Sequence, residues 1–155
     1  MRRSFALVPV LGLALAGLAA AETTRTLRVQ LSGDPARPFA VENLAGTMRI
    51  TATDEPTVTA IATLHAESDS LAGSVRFEQV VNEKGIPTLR VRYPVDRHQD
   101  YRYPGSGSGG FWDGLFGGSR IKYDGALVSV NGSRGVLLYA DVEVKVPRRT
   151  LDAVF

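Results

Sequence analysis

Val136 to Pro147 reads VLLYADVEVKVP and is the longest stretch of alternating apolar sequence in the chain. Apolar residues at every second position are typical of a β-strand with one buried face. Leu137 and Tyr139 add apolar side chains on the opposite face, and charged residues then follow on that face: Asp141, Glu143 and Lys145. The stretch therefore predicts a central strand whose first half is covered on both sides.

The same two-residue period recurs from Thr26 onward, and turn residues separate the alternating stretches. This pattern favours an all-β fold over a helical one. The predicted inward-facing sets are Leu27, Val29 and Leu31; Phe39 and Val41; Met48, Ile50 and Ala52; Val58, Ala60, Ala62 and Leu64; Val75 and Phe77; Leu89, Val91, Tyr93 and Val95; Ile121 and Tyr123; and Ala126, Val128 and Val130.

Asn131-Gly132 lies between two of these stretches, and this dipeptide is the strongest short signal for a β-hairpin. We therefore expect an antiparallel pair in which the chain reverses between Val130 and Val136. Asn131-Gly132-Ser133 also fits a glycosylation acceptor, but the flanking alternation favours the turn.

Residues 1–21 have the parts of an export signal. Two arginines follow Met1, an apolar stretch runs from Phe5 to Leu18, and Ala19 to Ala21 supplies the small residues of a cleavage site. The apolar stretch is interrupted by a proline and two glycines, and it is shorter than the roughly 20 residues of a membrane span. We expect cleavage before Glu22, no transmembrane span afterwards, and a periplasmic, extracellular or cell-surface location; an uncleaved membrane anchor is the alternative.

The composition restricts the partners. The chain has 18 basic and 16 acidic residues, and two of the arginines lie in the signal, so the remainder is balanced and has no overall field for nucleic acid. The absence of cysteine excludes disulfides, thiolate metal sites, a cysteine nucleophile and a lipid-modified cysteine. We expect no cofactor and no bound metal.

Two strings resemble a bacterial family of adhesin-like β-strand-repeat proteins, related to the putative auto-transporter adhesins with a head GIN domain. Phe39 to Ile50 is similar to that family's repeat, in which a strand enters Asn-x-x-Gly and a second strand leaves it. Asp141 to Pro147 is similar to its alternating valine strand closed by Val-Pro. The resemblance implies a β-solenoid or β-helix-like repeat fold of the cell envelope with no defined catalytic residues. Only a short stretch follows Pro147, which suggests a truncated member whose open edge needs a cover.

Residues 104–120 interrupt the alternation with a segment rich in glycine. Similar strand sequence continues on both sides, so we interpret it as a flexible loop within a single domain at 22–155. The segment contains G-x-G-x-x-G but has neither the preceding strand nor the following helix that a dinucleotide site needs. Low-complexity glycine is the better explanation.

Aromatic side chains concentrate around this loop and alternate with arginines. Such residues can stack on sugars or on a partner protein. The predicted contact residues are Tyr93, Arg97, Tyr101, Arg102, Tyr103, Phe111, Trp112, Phe116, Arg120 and Tyr123. The alternative is that the loop aromatics fold back as an apolar plug over an open sheet edge.

Asp96, His98 and Asp100 form the one cluster that suggests metal or acid–base chemistry. Arginines surround them, so we favour a solvated mosaic in which Arg90, Arg92, Arg97 and Arg102 pair with the two aspartates. His65 is expected at the surface. A hydrolase built on this cluster is the least favoured interpretation, because no recognised catalytic context accompanies it.

These observations predict an exported, non-enzymatic, adhesin-like protein of the bacterial envelope that acts by surface contact. Its expected partners are an envelope polysaccharide or another envelope protein. The alternative is a periplasmic polysaccharide- or ligand-binding module that uses the aromatic and arginine region from Tyr93 to Tyr123.

Overall fold

The computed structural model describes residues 22–31, 38–104 and 120–148. These residues form an all-β fold, as predicted, with one short helix, α1 (Asp69–Gly73). The strands are β1 (Thr23–Leu31), β2 (Ala40–Glu42), β3 (Met48–Thr53), β4 (Val58–Ala66), β5 (Arg76–Val81), β6 (Pro87–Arg92), β7 (Asp100–Arg102), β8 (Arg120–Tyr123), β9 (Ala126–Asn131) and β10 (Val136–Pro147).

The strands are arranged in two mixed sheets. The larger has seven strands in the order β1-β4-β10-β7-β9-β8, with β3 also paired to β10, and the smaller has the order β2-β6-β5. The described residues do not close into a solenoid coil. Within the same ranges, no helix combines the length and apolar character that a membrane span requires. The predicted export signal at residues 1–21 lies outside the described residues.

The prediction of a central strand at Val136–Pro147 is confirmed. β10 pairs antiparallel with β4 along one edge, and along its other edge it pairs parallel with β7 near its start and with β3 near its end. Its inward residues from Leu138 to Val146 are buried, as are Ala60, Ala62 and Leu64 of β4. Leu137 is also buried on the opposite face. The β4–β10 pair therefore forms the centre of the core.

The prediction of an antiparallel hairpin through Asn131-Gly132 is wrong. β7 lies between β9 and β10 and pairs parallel with both, so residues 132–135 connect two parallel strands. The side chain of Asn131 accepts a hydrogen bond from the backbone N–H of Ser133 (3.1 Å), which shapes the connection as a local turn.

An antiparallel hairpin is present at Asp124-Gly125 instead, where β8 and β9 meet. Both residues have positive φ angles, 48° and 80°, as a two-residue turn of this hand requires. Asp-Gly is a recognised hairpin signal, and it is the sequence feature that locates this turn.

The prediction that Met48, Ile50 and Ala52 form a buried set is also wrong. Met48 is 46% exposed and Ile50 is 63% exposed, and Ala52 is exposed as well. Their partners Val142, Val144 and Val146 on β10 are buried on the same side of the sheet. β3 is an edge strand, and among the described residues nothing covers its apolar face.

Gly46 allows the chain to cross β10 closely between β2 and β3. The backbone N–H of Ala140 donates to the carbonyl of Ala45 (2.9 Å), and a Cβ atom at Gly46 would collide with the carbonyl oxygen of Ala140. Gly46 also has a φ of 110°, which disfavours any other residue. The Asn-x-x-Gly string is therefore a close backbone crossing.

We predict that Gly46→Ala lowers the free energy of unfolding by about 3 kcal/mol or more, because it adds a steric collision to backbone strain. Gly125→Ala is the matched control, since Gly125 has a similar positive φ but no atom within 4 Å of an added Cβ. It should cost only about 1–2 kcal/mol. Urea unfolding of both variants measures the difference, and equal losses would contradict the crossing.

Candidate contact surfaces

Tyr93, Tyr101 and Tyr123 are core residues, so their prediction as contact residues is wrong. They are 1%, 0% and 9% exposed, and Tyr93 packs edge-to-face on the other two rings at centroid distances of 5.5 and 6.1 Å. The strand period places their side chains inward, and an inward aromatic ring fills the core more effectively than it serves a partner. These three rings cannot stack on a ligand.

The buried tyrosines differ in their hydrogen bonds. The Tyr93 hydroxyl donates to Asn43 Oδ1 (2.9 Å) and lies 3.0 Å from the carbonyl of Ala45. The Tyr123 hydroxyl donates to the carbonyl of Val91 (2.6 Å), whereas the buried Tyr101 hydroxyl has no partner among the described residues. Burial raises the pKa of all three phenols, that of Tyr93 well above its usual range.

Asn43 links these rings to the central strand. Its side-chain amide donates to the carbonyls of Ala140 (2.8 Å) and Ala45 (3.0 Å), while its oxygen accepts from Tyr93. The Asn-x-x-Gly string thus provides both the crossing at Gly46 and a polar anchor inside the core.

The predicted charge mosaic is present in part: Arg97 pairs with Asp96 (3.8 Å), whereas Arg90 and Arg92 have partners other than the predicted aspartates. Arg90 binds Glu42 (2.7 Å) and Asp124 (2.8 Å), and Arg92 binds Glu78 (2.9 Å) and Asp124 (3.2 Å). This network connects the smaller sheet to the β8–β9 turn. A hydrogen bond to Glu78 and the charges of Asp124 and Glu78 raise the pKa of Arg92. Desolvation lowers the pKa of Arg90, but the hydrogen bond to Glu42 and the charges of Glu42 and Asp124 outweigh it, so this pKa is raised as well.

The remaining predicted contact residues lie in different places. Arg97 is exposed and lies 3.8 Å from Asp96, Arg120 is exposed at the start of β8, and Arg102 and Tyr103 are half-buried at the end of β7. The loop aromatics are outside the described residues: Phe111, Trp112 and Phe116. Of the ten predicted contact residues, the structure therefore places three in the core, and three lie outside the described residues.

Asp96, His98 and Asp100 are the candidate cluster for metal or acid–base chemistry. Within residues 22–31, 38–104 and 120–148, no group of three or more acidic or histidine side chains could hold an ion. Asp96 borders an open cavity of about 300 Å³, where Arg92 and Asp124 also lie. Because those two charges already bind each other, the cavity offers few free polar groups to a ligand.

A ring stack that the sequence analysis missed lies on the outer face of the larger sheet. His65 of β4 stacks on Tyr139 of β10 with a centroid distance of 4.5 Å and an interplanar angle of 4°, and Tyr103 is tilted against Tyr139 at 5.1 Å. His65 and Tyr139 are register partners across the two strands. The alternation places each residue on the outer face, but only the strand pairing brings them together.

Two carboxylates flank this ring stack. Glu22 Oε1 lies 2.6 Å from His65 Nδ1 and accepts from the Tyr139 hydroxyl (3.3 Å), and Asp141 Oδ2 lies 3.6 Å from His65 Nε2. Desolvation and the charge of Glu22 raise the pKa of Tyr139 to about 12. His65 lies at the surface, as predicted, and the stack combines half-buried rings with exposed acceptors.

The open edge of β3 is the second surface feature. The backbone N–H of Val142 donates to the carbonyl of Thr47 (2.9 Å), so Thr47 and every second residue after it direct their backbone groups to β10. The N–H and C=O groups of Met48, Ile50 and Ala52 therefore point away from β10. The same three residues provide the exposed apolar row and the free backbone groups.

We predict that Tyr93→Phe lowers the free energy of unfolding by about 1–3 kcal/mol, because Asn43 Oδ1 loses a buried donor. Tyr101→Phe is the matched control in the same cluster, and it should leave stability unchanged or raise it, since its hydroxyl has no partner to lose. Thermal and urea unfolding measure both, and a larger loss for Tyr101→Phe would contradict the assignment.

Comparison with models of protein families, with curated proteins and with solved structures finds no match to this chain. The candidate surfaces therefore stand on the geometry of this chain's own residues.

Proposed function

We propose that this chain is an exported, non-enzymatic, adhesin-like β-repeat protein of the bacterial cell envelope that acts by surface contact. The observation that carries the proposal is the open edge of β3, where Met48 and Ile50 are exposed and their outward backbone groups have no partner strand among the described residues. An edge of this kind binds extended strands, because backbone hydrogen bonds give affinity and an apolar row gives register. The proposed partner is an extended strand of an envelope protein.

The β-solenoid character of the fold is part of the same proposal. Parallel pairs support it: β2 lies parallel to β6, and β3 and β7 both lie parallel to β10. Stacking of parallel strands from successive repeats is how solenoids grow. The open edge of β3 is the side on which a further strand adds.

Export has its own test. We predict that the full chain, produced in a bacterium, is recovered from the periplasm or the medium with Glu22 as its first residue, because Ala19 to Ala21 fits signal peptidase. N-terminal sequencing of the fractionated protein measures this. Intact Met1 on cytoplasmic protein, or on membrane-bound protein, would contradict export by cleavage.

The contact itself is tested by co-sedimentation with isolated bacterial envelope fragments. We expect the wild-type protein to sediment with them and Ile50→Lys to remain largely in the supernatant, because a charge in the apolar row opposes strand addition. Leu127→Lys is the matched control, since Leu127 is 57% exposed on a different strand. Equal binding of all three proteins would contradict a role for the β3 edge.

The alternative function is polysaccharide binding in the periplasm, and the ring stack of Tyr103, Tyr139 and His65 favours it. Glycan sites commonly combine aromatic rings with carboxylates, as this stack does with Glu22 and Asp141. The location of the proposed sugar site is then this stack and not the whole predicted region from Tyr93 to Tyr123. In the same assay, loss of binding in Tyr139→Ala with Ile50→Lys unaffected would favour this alternative. Purified polysaccharide in place of the envelope fragments then identifies the sugar class.

A further inference from the structure

We infer that two copies of this chain pair antiparallel through their β3 edges and form a continuous sheet across a two-fold axis at Ile50. This inference rests on the proposed function, because it names the occupant of the same edge. The strand carries its apolar residues at 48, 50 and 52, so its core-facing row is symmetric about Ile50.

The backbone supports this register. Met48, Ile50 and Ala52 direct their N–H and C=O groups to the open edge, as the bond from Val142 to Thr47 requires. With Ile50 opposite Ile50, Met48 lies opposite Ala52, and all three pairs are of the hydrogen-bonded kind. Each such pair makes two bonds, so the interface gains about six.

The side chains are complementary in the same register. On the core-facing side, Met48 meets Ala52 and the two isoleucines meet each other, which extends the row of buried valines on β10. On the outer face, Arg49 lies opposite Thr51 of the second copy, so the two arginines do not face each other. Arg49 also has Glu143 as its register partner within its own copy.

Charges along the outer row favour the pair as well. The outer row across the joined sheets contains, in order, Glu143 and Arg49 of one copy and then Thr51 and Lys145 of the second copy. The Thr51 hydroxyl donates to Glu143 Oε1 (3.1 Å), so each threonine is already held in place. No like charges lie directly opposite each other across the new edge, and such pairs would destabilise it.

The first measurement is sedimentation velocity of the purified protein over a broad range of concentrations. We expect a concentration-dependent dimer, and Ile50→Lys should raise its dissociation constant about tenfold or more, because it places two lysines on the two-fold axis. Leu127→Lys and Val81→Lys are the controls, since both residues are exposed apolar side chains on other strands, and they should dimerise as the wild type does. Circular dichroism and thermal unfolding establish that each variant is folded.

The second measurement fixes the register and uses the absence of cysteine in the chain. Ile50→Cys should crosslink efficiently with a short bismaleimide, because the two thiols lie across one strand spacing. Met48→Cys should crosslink poorly, because its two copies lie about 14 Å apart in this register. Leu127→Cys gives the background from random collisions.

The outcomes separate the dimer from the proposed function. A monomer at every concentration, or equal crosslinking at positions 48 and 50, would overturn the dimer. A monomer whose envelope binding still depends on Ile50 overturns only the dimer and supports a different protein on the edge. A dimer without envelope binding supports this inference and overturns the envelope contact. A monomer in which Ile50→Cys resists labelling overturns both, because another part of the same chain then covers the edge.

Discussion

The pairing of β10 along both of its edges is the constraint on which the rest of the structure depends. One edge is filled by β4 from Leu138 to Lys145, and the other is shared by β7 and β3. Close backbone approaches occur where chain segments meet along this edge. Gly46 lies in the connection before β3, where an added Cβ would collide with Ala140 of β10. Gly135 lies directly before β10, where an added Cβ would collide with Asp100 at the start of β7.

Much of the strand content could be predicted from the sequence, because a period of two depends on local geometry alone. The alternation in Val136–Pro147 identifies the central strand, and that in β4 identifies its buried face. The pairing could not be predicted in the same way. Asn131-Gly132 fits a hairpin locally, but β7, whose residues pair with β9 residues 29 positions later, lies between the two strands, and no local signal encodes this tertiary contact.

The candidate sites show the same division. Alternation determines which residues share a face, but it does not determine whether anything covers that face. Tyr93 and Met48 both lie on inward faces by their period, yet Tyr93 is 1% exposed and Met48 is 46% exposed. Aromatic composition alone therefore predicts a contact surface at Tyr93, which lies in the core. The ring stack of His65 and Tyr139 could be identified only from the strand register.

β1 flanks β4 and β3 flanks β10, and these two outer strands differ in how strongly they oppose the addition of another strand. β1 is an edge strand that carries Arg25 opposite Leu64, in the row that faces the core, and a charge in that position opposes the addition of another strand. β3 has no charge in its core-facing row, no proline and no bulge among its paired residues. The charge of Arg25 protects the β1 edge, so the sheet ends at β1. The same contrast makes β3 the side on which the sheet continues. Its backbone groups point at a strand that the described residues do not supply, and its apolar row offers that strand neighbours on the core-facing side.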